Sequence, residues 1–111
     1  MADSTAAMVD RRPRMLTLST KESLILGLLV QKQGMYGLQL VAASGGLLKR
    51  GTVYVTLGRM EEKGYIASRL EDPPADAGGM PRRLYQPTTL GRRVLKAWTG
   101  AVERLMPEFV R

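Results

Sequence analysis

The segment Lys49 to Tyr65, KRGTVYVTLGRMEEKGY, gathers side chains suited to a polyanionic surface. Val53, Leu57 and Met60 recur at i, i+4 and i+7, which predicts one buried face of a helix. The opposite face would carry Arg50, Thr52, Val55, Thr56 and Arg59. Cations and hydroxyls there suit phosphates, arginine can take a guanine edge through two parallel hydrogen bonds, and a threonine methyl can meet that of thymine. Val55 can add apolar contact. Arg82 and Arg83 form a second cationic pair, and Lys21 and Lys49 are further candidates for phosphate contacts. Gly64, after Glu61-Glu62-Lys63, supplies the left-handed residue that commonly ends a helix, so the helix is expected over residues 51–63. The same pattern also reads as an ordinary amphipathic helix with a solvated face.

Composition narrows the chemistry. The 111 residues fit one small domain with a modest core, or a domain with a tail, to which a second subunit could add. Lys and Arg number 17 against 10 Asp and Glu, a formal charge of +7. That balance, with a pI near 10.3, favours a polyanionic partner. Cysteine and histidine are both absent, so disulfides, thiol nucleophiles, imidazole bases and ordinary zinc sites are excluded. Glu61 and Glu62 are the only adjacent acids on a helix and read as solvated charges, so no catalytic residue, metal site or cofactor is expected. The longest apolar run, Leu24 to Val30, is far short of the roughly 18 residues a bilayer span needs. Arg11, Arg12 and Arg14 follow a weakly apolar start instead of preceding an apolar core, which is not a signal-peptide pattern. A cytoplasmic location without membrane contact is the default expectation.

In chain order, residues 1–17 read as a flexible basic tail whose arginines add attraction to a polyanion. Ser19 and Glu22 have the spacing of a capping box, and the apolar run after them predicts a helix over 20–33, closed by Gly34. Met35-Tyr36-Gly37 reads as a turn into a short helix over 38–44, with Leu38, Val41 and Ala42 as its core stripe. Helix, short link and the 51–63 helix make a helix-turn-helix. Tyr65 to Leu70 and Arg82 to Gln86 read as two strands around a tip rich in turn-formers. Such a hairpin after a helix-turn-helix is a wing; alternatively, Arg82 and Arg83 are solvated edge charges that discourage strand addition. Thr88 or Thr89 can cap a last helix reaching Met106. Leu90, Val94, Trp98, Ala101 and Leu105 make one apolar stripe on it, and Leu95, Val102, Met106 and Phe109 a second. One stripe can cover the domain core and the other should meet a second subunit.

The fold class expected is mainly α with a small β-hairpin wing: a winged helix-turn-helix over 18–87, then a dimerisation helix over 88–111. From Leu24 to Leu95 the chain resembles the PadR family of bacterial transcriptional regulators. The resemblance is carried by ILGLL at Ile25 to Leu29, YGL at Tyr36 to Leu38, GTVYVTLGRME at Gly51 to Glu61 and GGMPRRLYQPTTLG at Gly78 to Gly91. Each piece is short, but the order and spacing of all four are specific. Val55 stands where the family often has proline, and Gln86-Pro87 replaces a more usual arginine-leucine pair.

The resemblance implies a dimeric repressor that binds duplex DNA at a palindromic operator, with helix 51–63 in the major groove and the 70–85 hairpin as wing. DNA contacts are then expected from Lys49, Arg50, Thr52, Tyr54, Val55, Thr56, Arg59, Arg82 and Arg83, with Tyr54 on a phosphate or packed half-buried. The subunit seam would use Leu95, Trp98, Val102, Leu105, Met106 and Phe109. Multidrug-binding relatives stack flat aromatic compounds on a tryptophan of this helix, which makes Trp98 a candidate for a planar hydrophobic effector or, alternatively, core packing. A winged-helix protein-interaction module without specific DNA binding is the competing reading, and an enzyme a distant third.

Overall fold

A computed structural model describes residues 18–72 and 79–105. Its elements in order are α1 (Thr20–Lys32), β1 (Met35–Tyr36), α2 (Gly37–Ala43), α3 (Val53–Glu62), β2 (Ile66–Glu71), β3 (Arg82–Pro87) and α4 (Thr89–Leu105). The mainly α architecture with a small β wing agrees with the sequence pattern. The N-terminal arginines Arg11, Arg12 and Arg14, the tip residues 73–78, Met106 and Phe109 lie outside the described residues.

The capping box starts α1 as expected: the Glu22 N–H donates to Ser19 Oγ at 3.1 Å, and the Ser19 N–H donates to Glu22 Oε1 at 2.9 Å. The helix stops one residue earlier than its pattern implied. Gln33, at φ 60°, takes the left-handed position assigned to Gly34, and its N–H reaches the Leu29 carbonyl at 2.8 Å. Met35 and Tyr36 are not a turn. They form the short strand β1, paired antiparallel with β3 through Met35 with Tyr85 and Tyr36 with Leu84. Two residues are too few to show alternation, and their partners lie far along the chain.

Helix α2 also departs from its expected stripe. Leu40 is its buried anchor, Val41 is half-buried, Leu38 is 48% exposed and Ala42 is exposed. Starting the helix at Gly37 and docking it on β1 rotates Leu38 outward. The following loop is held by Ser44, whose hydroxyl donates to the Val41 carbonyl at 2.8 Å and accepts from the Leu48 N–H at 3.0 Å. In α3, Val53, Leu57 and Met60 are buried as the spacing required. The helix begins at Val53 instead of Gly51, because residues 49–52 form a preceding turn in which the Val53 N–H bonds the Lys49 carbonyl at 2.9 Å. Gly64, at φ 82°, ends the α3 segment.

The sheet order is β1-β3-β2, so β3, which carries Arg82 and Arg83, is the central strand. Met35, Ile66 and Tyr85 share the inner face and enter the core with Ile25, Leu29 and Leu57. Thr88 caps α4, its hydroxyl accepting from the Gly91 N–H at 2.9 Å. Gly91 then seats the helix so closely that a Cβ there would overlap the Tyr65 carbonyl oxygen. Burial on α4 ends at Val94. The stripe expected to cover the core is therefore only partly used, since Leu90, Trp98 (36% exposed) and Leu105 (78% exposed) remain open.

Candidate nucleic-acid interface

Because Val53, Leu57 and Met60 hold α3 against the core, its other side is forced outward. Arg50, Thr52, Val55 and Arg59 are exposed and Thr56 is half-exposed, as the helical spacing required. Lys49 and Arg50 stand on the exposed turn before the helix. Lys21, Lys49, Arg50 and Arg59 have no carboxylate partner among the described residues; the two ion pairs there are Lys63 with Glu22 and Arg69 with Glu71. Unpaired cations on a helix whose other face is locked are available to phosphate and base edges.

Two concave surfaces flank α3. The first, about 680 Å³, runs between α3 and the start of α1 and is lined by Lys21, Thr52, Val55, Thr56, Arg59 and Lys63, among others. It brings Lys21 beside the α3 cations, an approach that sequence spacing could not show. The α1 start is tied to the end of α3 by the Lys63 ammonium, 2.7 Å from Glu22 Oε2. Burial pushes the Glu22 carboxyl up, but the hydrogen bond and charge of Lys63 and the Ser19 N–H outweigh it and leave the group below its ordinary value.

The second concavity, about 510 Å³, lies between α3, the start of α2 and the wing; its lining includes Leu38, Tyr54, Leu70, Arg82 and Arg83. Tyr54 is 49% exposed, and its ring lies so close to Gly37 that a Cβ at that position would strike it. Packing and exposure thus coexist: the ring leans on the α2 backbone while half its surface faces solvent.

Arg82 and Arg83 are neighbours on a strand and therefore point to opposite faces. On the inner face Arg83 Nη1 donates to Ser68 Oγ at 3.0 Å, and that hydroxyl donates to Glu61 Oε2 at 2.6 Å, which links the wing to α3. Glu61, read from sequence as a merely solvated charge, is exposed but holds this link. On the outer face the Tyr36 hydroxyl donates to Glu71 Oε1 at 2.7 Å, Arg69 Nη2 donates to Glu71 Oε2 at 2.8 Å, and the Arg82 guanidinium lies 4.3 Å from the centre of the Tyr36 ring. The hydrogen bond from Tyr36 and then that from Arg69 hold the Glu71 carboxyl below its ordinary value, and the same bond raises the Tyr36 hydroxyl. Nothing in the spacing of Tyr36, Arg69 and Glu71 marked them as a group; β1, the element that joins them, was the one the pattern missed. Although β3 is the central strand, β1 covers it only at Leu84 and Tyr85, so Arg82 and Arg83 stand on the stretch that β2 alone pairs, where they also suit an exposed edge.

On α4, Trp98 and Leu105 are exposed and Val102 is half-buried on a helix anchored through Gly91 and Val94, whereas Leu95 packs half-buried against this chain's own core. No group of residues suited to a metal ion occurs among the described residues, and none of their helices is long and apolar enough to cross a membrane.

No curated protein sequence matches the chain. The structure is similar to a PadR family transcriptional regulator from Eggerthella lenta DSM 2243, with 28% identity and a TM-score of 0.66 over 97% of this chain and 90% of that one. It is also similar to a PadR family transcription regulator from Clostridium difficile R20291, with 28% identity and a TM-score of 0.63 over 81% of this chain and 97% of that one. Bacillus subtilis PadR, solved in complex with operator DNA, shares the fold at 20% identity and a TM-score of 0.64; 75% of this chain aligns, spanning about half, 48%, of that one. The model of the transcriptional regulator PadR-like family matches residues 25–97, a span that takes in α2, α3, both long strands and the anchored start of α4. The chain that builds this exposed cationic helix and its wing thus belongs to the PadR-like family of transcriptional regulators.

Proposed function

We propose that the protein is a dimeric, sequence-specific repressor that binds duplex DNA in the cytoplasm, with α3 in the major groove and the β2–β3 hairpin as its wing. The observation that carries this reading is the outward face of α3 and of the turn before it, where Arg50, Thr52, Thr56 and Arg59 have no carboxylate partner among the described residues, beside two concave surfaces that also present Lys21 and Arg82. Arg59 and Arg50 read bases, Val55 adds apolar contact to thymine, and Lys21, Lys49 and Tyr54 hold phosphates. Two subunits joined along α4 through Trp98, Val102 and Leu105, and through Met106 and Phe109 beyond it, present two such helices to successive major grooves. A planar hydrophobic compound stacked on Trp98 would act as an inducer only by binding the DNA-incompetent spacing of the wings more tightly.

Selection of bound duplexes from a random pool, followed by a salt titration on the selected site, tests the proposal. The selected site is an imperfect palindrome with half-sites about one helical turn apart, and affinity falls steeply as salt rises. Absence of salt-dependent binding to any duplex would overturn it and favour a protein-interaction module.

A further inference from the structure

The wing carries two adjacent arginines whose guanidinium groups are used differently. Arg83 donates to Ser68 and so braces the hairpin against Glu61 of α3. Arg82 makes no hydrogen bond or ion pair among the described residues, although Glu71 is its direct cross-strand partner. Each Glu71 oxygen accepts one hydrogen bond, Oε1 from the Tyr36 hydroxyl and Oε2 from Arg69. What holds Arg82 is the face of the Tyr36 ring, 4.3 Å from the guanidinium carbon. Stacking through the π face leaves a guanidinium's N–H donors, which lie in its plane, free for another partner. Tyr36 is itself fixed, by β1 pairing with Leu84 and by its bond to Glu71 at the far end of β2.

We propose, on the DNA-binding reading above, that Tyr36 is a positioning residue that presents Arg82 to a backbone phosphate. Glu71 keeps the ring in place, and Arg82 rests on that ring instead of pairing with Glu71. Holding a long side chain in the orientation its ligand needs removes part of the rotamer entropy that binding would otherwise cost. Arg82 is accordingly the phosphate ligand of the wing and Arg83 its brace.

The test is a double-mutant cycle on the full chain, with affinity for a fluorescent mixed-sequence duplex of about three helical turns measured against salt concentration. Arg82→Ala lowers the log-affinity against log-salt slope by about one per subunit, about two for the bound dimer, and Arg83→Ala leaves that slope unchanged. Tyr36→Leu weakens binding about two- to fivefold when Arg82 is present and has no effect in the Arg82→Ala background. Tyr36→Phe, which keeps the ring, stays closer to wild type than Tyr36→Leu; thermal unfolding of each variant separates loss of the platform from loss of the fold. Equal losses from Tyr36→Leu with and without Arg82, or a slope change confined to Arg83→Ala, would overturn the assignment. A wild-type protein without salt-dependent duplex binding would instead remove the DNA-binding reading on which it stands.

Discussion

Helices α3 and α4 obey the same folding rule and differ in what they leave uncovered. In α3 the core takes Val53, Leu57 and Met60, and the outward side is mostly polar and charged, with Tyr54 (49% exposed) and Val55 (55% exposed) its large apolar members. In α4 the core takes Gly91 and Val94, and beyond them Trp98 and Leu105 stay open to solvent although they are large and apolar. Folding physics explains the buried halves alike. On the proposed function the open halves differ because their partners differ: water and a polyanion satisfy the first, whereas another apolar surface would satisfy the second. What a helix leaves uncovered is therefore the better guide to what it meets.

The severest way to break the contrast is to unseat α4. Gly91→Ala would drive a Cβ into the Tyr65 carbonyl, where backbone rather than a flexible side chain must yield. A loss of about 3 kcal/mol or more is expected, read as a large drop in Tm or loss of a cooperative transition. A second change acts on α4 beyond its anchored start: Val102→Glu with Leu105→Glu should give a folded monomer, since Leu105 is 78% exposed within one chain and the half-buried Val102 is not part of the core cluster. Light scattering checks it, and a persistent dimer would put the interface elsewhere. A third change sharpens the α3 side. Arg59→Ala should cost about 1–3 kcal/mol on a selected site and relax preference at particular base pairs, while Arg82→Ala weakens all sites alike. Equal losses on every sequence for both variants would remove base reading from Arg59.

The smallest effect concerns the tie between α1 and α3. Folding lowers the Glu22 carboxyl from its ordinary value of 4.5, so its contribution to stability is complete above that value and is lost as pH falls through the lower folded value. Glu22→Gln should flatten this acid limb of stability and leave it unchanged in shape near neutrality. Denaturant melts at stepped pH measure it, and an identical acid limb in the variant would show that the Lys63 contact contributes nothing.

Helices α1 and α3 were legible because each carries its own local signal. Ser19 with Glu22, the Val53, Leu57 and Met60 triplet, and Gly64 each depend on neighbours within a few residues, so local chemistry decides them. The outward set on α3 and the turn before it follows by subtraction, which is why Arg50, Thr52, Val55, Thr56 and Arg59 are legible in the sequence. The outer cluster of the wing was not legible for the opposite reason. Tyr36, Arg69, Glu71 and Arg82 meet only because a two-residue strand pairs with a distant partner. Leu38 and Leu40 show the same limit, since docking on β1 decided which of them faced the core.

Sequence alone therefore determined the helix-turn-helix and the cationic helix face, both of which follow from contacts made within a few turns of chain. Tertiary structure decided which arginine is braced and which is held by a ring. It also brought Lys21 beside α3 and ended the burial of α4 at Val94, because each of these depends on the register and docking of elements that local pattern does not encode.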